Sequence, residues 1–185
     1  MARQSRIASR FRVRWPHGLA VAVLIAASAG GSVGHAEEAA SIVRHGAWQA
    51  VTAGGASGCF AVQTVVGRRS GAVLIQAVLA PLAGDDGVRL RVKVPTGAYL
   101  PDGIAYRHAP PSKRGIGLEW QDCDAERCTA EVNLSEDEMA LLKRGREIVF
   151  GYRPLPNSPV LNVPLSLMGL TAAWRDVERC ESNGG

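Results

Sequence analysis

One segment of this sequence alternates strictly between apolar and basic side chains over seven residues. Because successive side chains of a β-strand point to opposite faces of a sheet, the alternation predicts a strand with one buried and one solvated face. The apolar positions are Val88, Leu90, Val92 and Val94, and the basic positions between them are Arg89, Arg91 and Lys93. This part of the chain is therefore expected to lie in a sheet that covers a core on one side only.

Short apolar segments recur along the chain, and turn residues separate them. Asp85-Asp86-Gly87 is typical of a hairpin turn, because Asp and Gly tolerate the positive φ that such turns need. The predicted strands are His45–Val51, Cys59–Val66, Val73–Leu82, Val88–Val94, Ile104–His108, Gly117–Gln121, Thr129–Leu134, Glu147–Tyr152 and Val160–Leu167. Pro164 marks the last of these as an edge strand or a strand with a bulge. Eight or nine short strands favour an all-β sandwich over an α/β fold.

Two short segments have the signatures of helices. Ser135 and Glu138 form a capping box, in which each side chain reaches the backbone amide of the other residue. Acidic residues in the first turn and basic residues before Gly145 complement the helix dipole. Near the C-terminus, apolar residues recur at i, i+3, i+4 and i+7 and predict one face of an amphipathic helix. They are Leu170, Ala173, Trp174 and Val177.

Residues 1–36 have the three parts of a secretory signal peptide. A start with five arginines and no acidic residue is followed by the apolar run Gly18–Ala27 and by small residues that end at Ala36. We predict cleavage after Ala36, with Ala27-Ser28-Ala29 as an earlier alternative. An uncleaved membrane anchor is the other interpretation, but the apolar run is shorter than the ~20 residues that span a bilayer.

Removal of this segment changes the charge of the chain. The full sequence has 21 Lys and Arg residues against 17 Asp and Glu. The segment contains five of the basic and none of the acidic residues, so the mature chain has 16 against 17 and a net charge near −1. That balance does not indicate nucleic-acid binding, which usually shows as a basic domain. The mature chain is divided into a flexible leader at 37–43, one domain at 44–180 and a tail at 181–185, with no stable membrane span.

Several landmarks of the mature chain follow one another in a recognisable order. They are Trp48, Gly58-Cys59, the steps Pro95-Thr-Gly97 and Pro101-Asp-Gly103, the pair Cys123 and Cys128, the helix end Leu141–Gly145, and the segment Val163–Ala173. In this order, and above all in that last segment, the chain resembles the invasion-associated locus B family of bacterial envelope proteins over residues 44–178. The resemblance implies an immunoglobulin-like β-sandwich. It also implies a protein that is periplasmic, secreted or associated with the cell surface. Founding members are linked to host-cell invasion or virulence, a role that the resemblance alone does not transfer.

All four cysteines lie in the mature chain, and an even number in an exported protein predicts two disulfides. Many relatives in this family carry a cysteine soon after the conserved Trp, where this sequence has Val51-Thr52-Ala53. The comparison implies that Cys59 pairs instead with Cys180, and Cys123 with Cys128. In the chain-entropy model the long loop that the first pair closes contributes roughly 4–5 kcal/mol.

No arrangement of residues indicates an enzyme, a metal site or a cofactor. Cys123 and Cys128 near His108 have a spacing at the loose end for zinc, and no second close pair accompanies them. Ser166 is not in a Gly-x-Ser-x-Gly motif, and we interpret it as a strand-end hydroxyl that caps the following helix. His45 and His108 are interpreted as half-exposed strand residues. A hydrolase that uses His108 or Ser166 is retained only as a third hypothesis.

The basic face of Val88–Val94 is the candidate binding surface. Its alternate side chains lie about 7 Å apart, which suits a polyanion, whereas the simpler interpretation is an ordinary solvated face. Arg107, Lys113 and Arg114 extend this surface if their strands are neighbours of it. Trp48, Trp120 and Trp174 are expected in the core, with a sugar-binding platform as an alternative for Trp120.

These observations predict an exported, non-enzymatic envelope protein that binds an envelope protein or an anionic surface polysaccharide. The sequence does not indicate an oligomeric state. An association with invasion or host interaction follows only from the family resemblance. The alternative is a structural or stress-protective periplasmic component that has no specific ligand.

Overall fold

The computed structural model describes residues 40–52, 58–82, 84, 87–108 and 115–183. The predicted signal peptide, the Asp85-Asp86 turn, Lys113 and Arg114 lie outside the described residues. Within those ranges, no helix is long and apolar enough to cross a membrane.

Ten antiparallel strands and two α-helices are present in the described parts of the chain. The strands are β1 (Ser41–His45), β2 (Trp48–Thr52), β3 (Cys59–Val66), β4 (Val73–Pro81), β5 (Val88–Pro95), β6 (Ile104–His108), β7 (Gly115–Cys123), β8 (Arg127–Leu134), β9 (Glu147–Tyr152) and β10 (Leu161–Ser166). The helices are α1 (Glu136–Arg144) and α2 (Leu170–Asn183), and a 3₁₀ turn covers Leu100–Asp102. The chain is therefore mainly β with two helices, as its sequence predicts.

The strands form one sheet in the order β1-β2-β3-β4-β5-β8-β7-β6-β9-β10. The first half of β7 pairs with β6 and its second half with β8, and this change of partner accompanies the curling of the sheet. Strands that are distant in the order therefore meet across its concave side. The Tyr152 hydroxyl on β9 donates to the Leu74 carbonyl on β4 at 2.9 Å, and the Trp48 indole on β2 donates to the Ser166 carbonyl on β10 at 2.9 Å. The more specific expectation, that the sheet is an immunoglobulin-like sandwich, stays a prediction.

The core lies on the concave side of this sheet. The apolar face predicted for β5 is confirmed, because Val88, Leu90, Val92 and Val94 are all at most 7% exposed. Trp48, Tyr106 and Phe150 are the largest fully buried side chains. Burying such side chains contributes about 25 cal/mol for each Å² of apolar surface removed from water and is the main force that holds the curled sheet closed.

The two helices cover the core where the sheet leaves it open. Ser135 caps α1, since its Oγ accepts a hydrogen bond from the Glu138 amide at 3.2 Å. The carboxylate of Glu138 is used elsewhere, so the predicted capping box is observed in one direction. α2 packs on β1, β2 and β3 through the predicted face, whose residues Leu170, Ala173, Trp174 and Val177 are at most 4% exposed.

The start of the domain differs from the sequence prediction. A single strand at His45–Val51 is wrong, because β1 and β2 form a hairpin around Gly46 and Ala47, and β1 begins inside the segment predicted as a loose leader. Gly46 has φ +58°, and a Cβ there would lie 2.7 Å from the Met168 carbonyl oxygen. The Ala47 amide donates to that same oxygen at 3.1 Å, so a contact distant in sequence sets this turn. At the other end of the sheet, β10 is an edge strand, as Pro164 predicts.

Candidate functional site

Two disulfides join the four cysteines of the chain. Cys59 at the start of β3 is bonded to Cys180 on α2, with a Cα–Cα distance of 6.1 Å. Cys123 and Cys128 are directly opposite each other at the end of the β7–β8 hairpin, with a Cα–Cα distance of 4.0 Å. The first bond ties the C-terminal helix to the sheet, whereas the second closes only a local turn.

The predicted basic side chains lie together on the outer face of β5, and a carboxylate lies between two of them. Glu131 of the neighbouring strand β8 is directly opposite Arg91. The Arg91 Nε donates to Glu131 Oε1, and the Arg89 Nε lies 3.6 Å from Oε2 of the same carboxylate. The side chains of Arg89 and Arg91 remain 43% and 45% exposed, whereas that of Glu131 is 17% exposed. One partly buried carboxylate thus holds two exposed guanidinium groups side by side.

The neighbours of this basic face limit its extent. Lys93 lies between Gln76 of β4 and Thr129 of β8, and it extends the basic face towards the end of β5. On the next strand, β7, Glu119 is opposite Glu131 and begins an acidic region. Arg107 belongs to β6, which β8 and β7 separate from β5. The two strands are not neighbours, so the condition for an extension through Arg107 is not met.

A turn with a fixed carboxylate follows the acidic region. Asp124 Oδ1 accepts hydrogen bonds from the amides of Glu126 and Arg127, each at 2.7 Å. These bonds to the charged form hold the pKa of Asp124 below its usual value of 3.8. Asp124 therefore stays ionised at neutral pH, in the turn between the two cysteines of the hairpin.

A buried polar cluster joins α1 to the sheet. Glu138 Oε1 accepts from the Tyr106 hydroxyl at 2.7 Å and contacts His108 Nε2 at 2.7 Å. The side chain of Glu138 is 7% exposed and that of His108 is 16% exposed. The second strand histidine has a similar position, since His45 Nε2 lies 2.5 Å from Asp176 Oδ2 on α2. Each histidine thus connects a strand to a helix.

The remaining candidate residues have structural contacts. The Ser166 hydroxyl accepts from the Met168 amide at 3.2 Å in the turn before α2, and no described hydrogen bond joins it to His108. Trp48 and Trp174 are buried, whereas Trp120 is half-buried and donates from Nε1 to the Leu100 carbonyl at 3.1 Å. The described residues contain no group of three or more His, Cys, Asp or Glu side chains that could hold a metal ion.

The roles of two residues at these sites were not predicted from the sequence. Glu131 alternates with Thr129 and Asn133 on a predicted strand, so its outward direction was readable from the pattern. Its position between two arginines was not, because that depends on which strand pairs with β5. Glu138 was interpreted as a helix-capping residue, since its contacts with Tyr106 and His108 come from a distant part of the chain.

The fold and these sites define a small, mainly β domain that has two disulfides and a charged outer sheet face. A family model described as invasion associated locus B (IalB) protein matches residues 48–178, and the chain therefore belongs to this family.

The solved structures agree at the level of the fold. A crystal structure of invasion associated protein b from Bartonella henselae matches with a TM-score of 0.66 and 19% sequence identity, covering 77% of this chain and 99% of that chain. At that identity the match shows a shared fold. No curated protein matches the chain.

Proposed function

We propose that this protein is exported to the bacterial envelope, as a periplasmic, secreted or surface-associated chain, and acts there by binding rather than by catalysis. Its partner in this proposal is an anionic surface polysaccharide or an acidic face of an envelope protein. Family membership and two disulfides support an oxidising compartment outside the cytoplasm. The proposal also keeps the cleaved signal peptide and the immunoglobulin-like sandwich. Invasion itself is not part of it.

The observation that carries the proposal is the shared contact of Arg89 and Arg91 with Glu131. Arg89 and Arg91 contact this one carboxylate, and Lys93 lies further along the same face of β5, opposite Thr129. These three cations exceed the Glu131 carboxylate by two positive charges. Guanidinium groups bind carboxylate, sulfate and phosphate through paired hydrogen bonds, and holding them in place reduces the entropy lost on binding. This surface therefore suits an anion-bearing sugar chain.

Binding to purified lipopolysaccharide tests this surface. We expect the triple variant Arg89→Gln, Arg91→Gln, Lys93→Gln to bind roughly tenfold more weakly than the parent, and the parent's affinity to fall as salt is added. The matched control is Arg144→Gln, Arg146→Gln, Arg175→Gln, because these three exposed arginines lie away from β5 and their loss gives the same change in net charge. Equal weakening in both triple variants would mean that only net charge matters, which contradicts a specific site.

A structural or stress-protective component without a specific ligand is the alternative. Glu131 favours it, because that carboxylate partly neutralises the arginines, as on an ordinary solvated face. In that case the triple glutamine variant binds like the parent and restores envelope integrity in a deletion strain as well as the parent does. If the triple glutamine variant loses both lipopolysaccharide binding and the ability to restore envelope integrity, the binding function is supported.

The absence of catalysis is the second part of the proposal. The contacts that support it are the bond between His108 and Glu138 and the bond between the Ser166 hydroxyl and the Met168 amide. Each residue has a local structural role that accounts for its position. Hydrolysis of an ester or peptide substrate that disappears in His108→Gln or Ser166→Ala, with the fold retained, would overturn this part.

A further inference from the structure

A groove of about 710 Å³ lies where the two helices meet the end of β4 and the start of β5. One face of each helix forms a wall, because the lining residues of α1 recur at i, i+3, i+4 and i+7 and those of α2 begin at Trp174 and recur at i+4, i+7 and i+8. The lining side chains that matter here are the apolar Leu82, Met139, Ala140 and Trp174 and the charged Glu136, Lys143, Glu178 and Glu181.

The groove has an apolar floor and an acidic rim. Met139 and Trp174 are buried, and Leu82 and Ala140 are half-buried, whereas the three glutamates are exposed to solvent. Apolar surface inside a concave site, together with a few polar groups at its edge, is the usual composition of a binding pocket, and the volume is within the common range of about 300–1,000 Å³.

The charges of the rim favour a cationic ligand. Among the described lining residues, three carboxylates are opposed by one cation, the ammonium group of Lys143. Lys143 Nζ is already paired with Glu178 Oε1 at 3.3 Å and lies 5.8 Å from the centre of the Trp174 ring. The Glu181 carboxylate accepts from the Cys59 amide at 3.3 Å, which holds it beside the disulfide. An excess of two negative charges remains over an apolar surface.

The dimensions of the groove suit a short stretch of extended chain. The lining residues of α1 span seven positions and those of α2 span eight, which correspond to roughly 10 and 12 Å at about 1.5 Å per residue. Three or four residues of an extended peptide cover that length at about 3.3 Å each. Aliphatic polyamines would satisfy the acidic rim but have no side chains that cover the apolar floor.

We propose that this groove binds a short extended peptide segment in which basic and apolar side chains alternate. The basic side chains pair with Glu136 and Glu178 on opposite walls, and the apolar side chains pack on the half-buried Leu82 and Ala140, above the buried Met139 and Trp174. This site has the opposite sign to the Arg89–Lys93 face, and its charged residues belong to the two helices rather than to β5. Either site therefore stands or fails without the other.

The test is calorimetric titration of the oxidised protein with the blocked peptide Gly-Leu-Lys-Leu-Lys-Gly and with its counterpart in which Glu replaces Lys. We expect the lysine peptide to bind and the glutamate peptide to bind at least tenfold more weakly, with the lysine peptide's affinity decreasing as salt is added. Amide shifts in ¹⁵N NMR spectra should change most along α1 and α2.

Variants separate the charge of the rim from the shape of the floor. Glu136→Gln with Glu178→Gln should weaken binding roughly three- to tenfold, since it also leaves Lys143 without its partner. The matched control Glu126→Gln with Glu147→Gln removes two exposed carboxylates elsewhere and should leave the affinity within about twofold. Ala140→Trp keeps every charge and should abolish binding by filling the groove.

Several results would overturn the proposal. They are an absence of binding by the lysine peptide at millimolar concentration, equal affinity for both peptides, equal weakening in the two glutamine pairs, or shift changes centred on another surface. If Ala140→Trp does not fold, the comparison between the glutamine pairs decides the question.

Discussion

At the scale of residues, single carboxylates organise the polar contacts of this protein. Glu131 lies between two arginines of β5, Glu138 between a tyrosine and a histidine of β6, and Asp176 between a histidine of β1 and an arginine of its own helix. Each connects its own helix or strand to another strand that is distant in the sequence. A carboxylate accepts several hydrogen bonds at once, which allows one residue to position two neighbours.

The strongest effect at this scale is expected for Glu138, because its carboxylate is buried. Glu138→Ala leaves the Tyr106 hydroxyl without this acceptor, and we expect the free energy of unfolding to fall by about 2–3 kcal/mol. Urea denaturation measures the change. Asp137→Ala, an exposed position in the same helical turn, is the control and should cost less than about 1 kcal/mol. Equal losses in the two variants would contradict a specific role for the buried cluster.

Asp124 gives the turn between β7 and β8 a dependence on pH. Because two backbone amides lower its pKa in the folded protein, its charged form stabilises the fold above the usual value of 3.8, and that contribution is lost as the pH falls through the lower folded value. NMR titration of the Asp124 carboxyl carbon should show a midpoint below 3.8. A midpoint at or above that value would show that the amide bonds do not persist in solution.

At the scale of elements, several kinds of contact hold α2 to the sheet. Its apolar face packs on β1, β2 and β3, Asp176 bonds to His45, and Cys180 is bonded to Cys59. The disulfide joins positions 121 residues apart, whereas Cys123 and Cys128 are separated by five. The two bonds therefore constrain the unfolded chain to very different extents.

Removing each disulfide separately measures this difference. In the chain-entropy model, Cys59→Ala with Cys180→Ala lowers the free energy of unfolding by about 5 kcal/mol, and Cys123→Ala with Cys128→Ala by about 2 kcal/mol. Chemical denaturation of the two double variants under identical conditions compares them. If removing the Cys123–Cys128 bond lowers the free energy of unfolding more than removing Cys59–Cys180 does, the long loop between Cys59 and Cys180 retains structure in the unfolded chain.

At the scale of the whole molecule, one curled sheet provides both the core and the exposed surfaces. Its concave side is closed by cross-contacts between β9 and β4 and between β2 and β10, while its outer face carries the basic stripe. The edge strand β10 carries Pro164, which cannot donate a hydrogen bond to another strand. Pro164 therefore disfavours pairing of a further strand along this edge.

Export of the whole chain is tested by intact mass spectrometry of the protein from the envelope fraction of the producing cell. We expect a chain that begins at Glu37 and gains the mass of four hydrogens only after reduction, since removal of residues 1–36 and both disulfides accompany export. A full-length chain with four free thiols would contradict both the export and the envelope location.

The sequence by itself determined most of the strands, the caps of α1 and the amphipathic face of α2, because periodicity and capping depend on residues close together in the chain. It did not predict the β1–β2 hairpin, whose turn contacts the distant Met168 carbonyl. The buried face of β5 and the edge position of Pro164 follow from the same local rules. The tertiary structure alone decided that Glu131 lies between Arg89 and Arg91, and that Glu138 accepts a hydrogen bond from Tyr106 of β6. It also decided that a groove forms between the two helices. Those features depend on strand order, register and packing between distant segments, which no local pattern records.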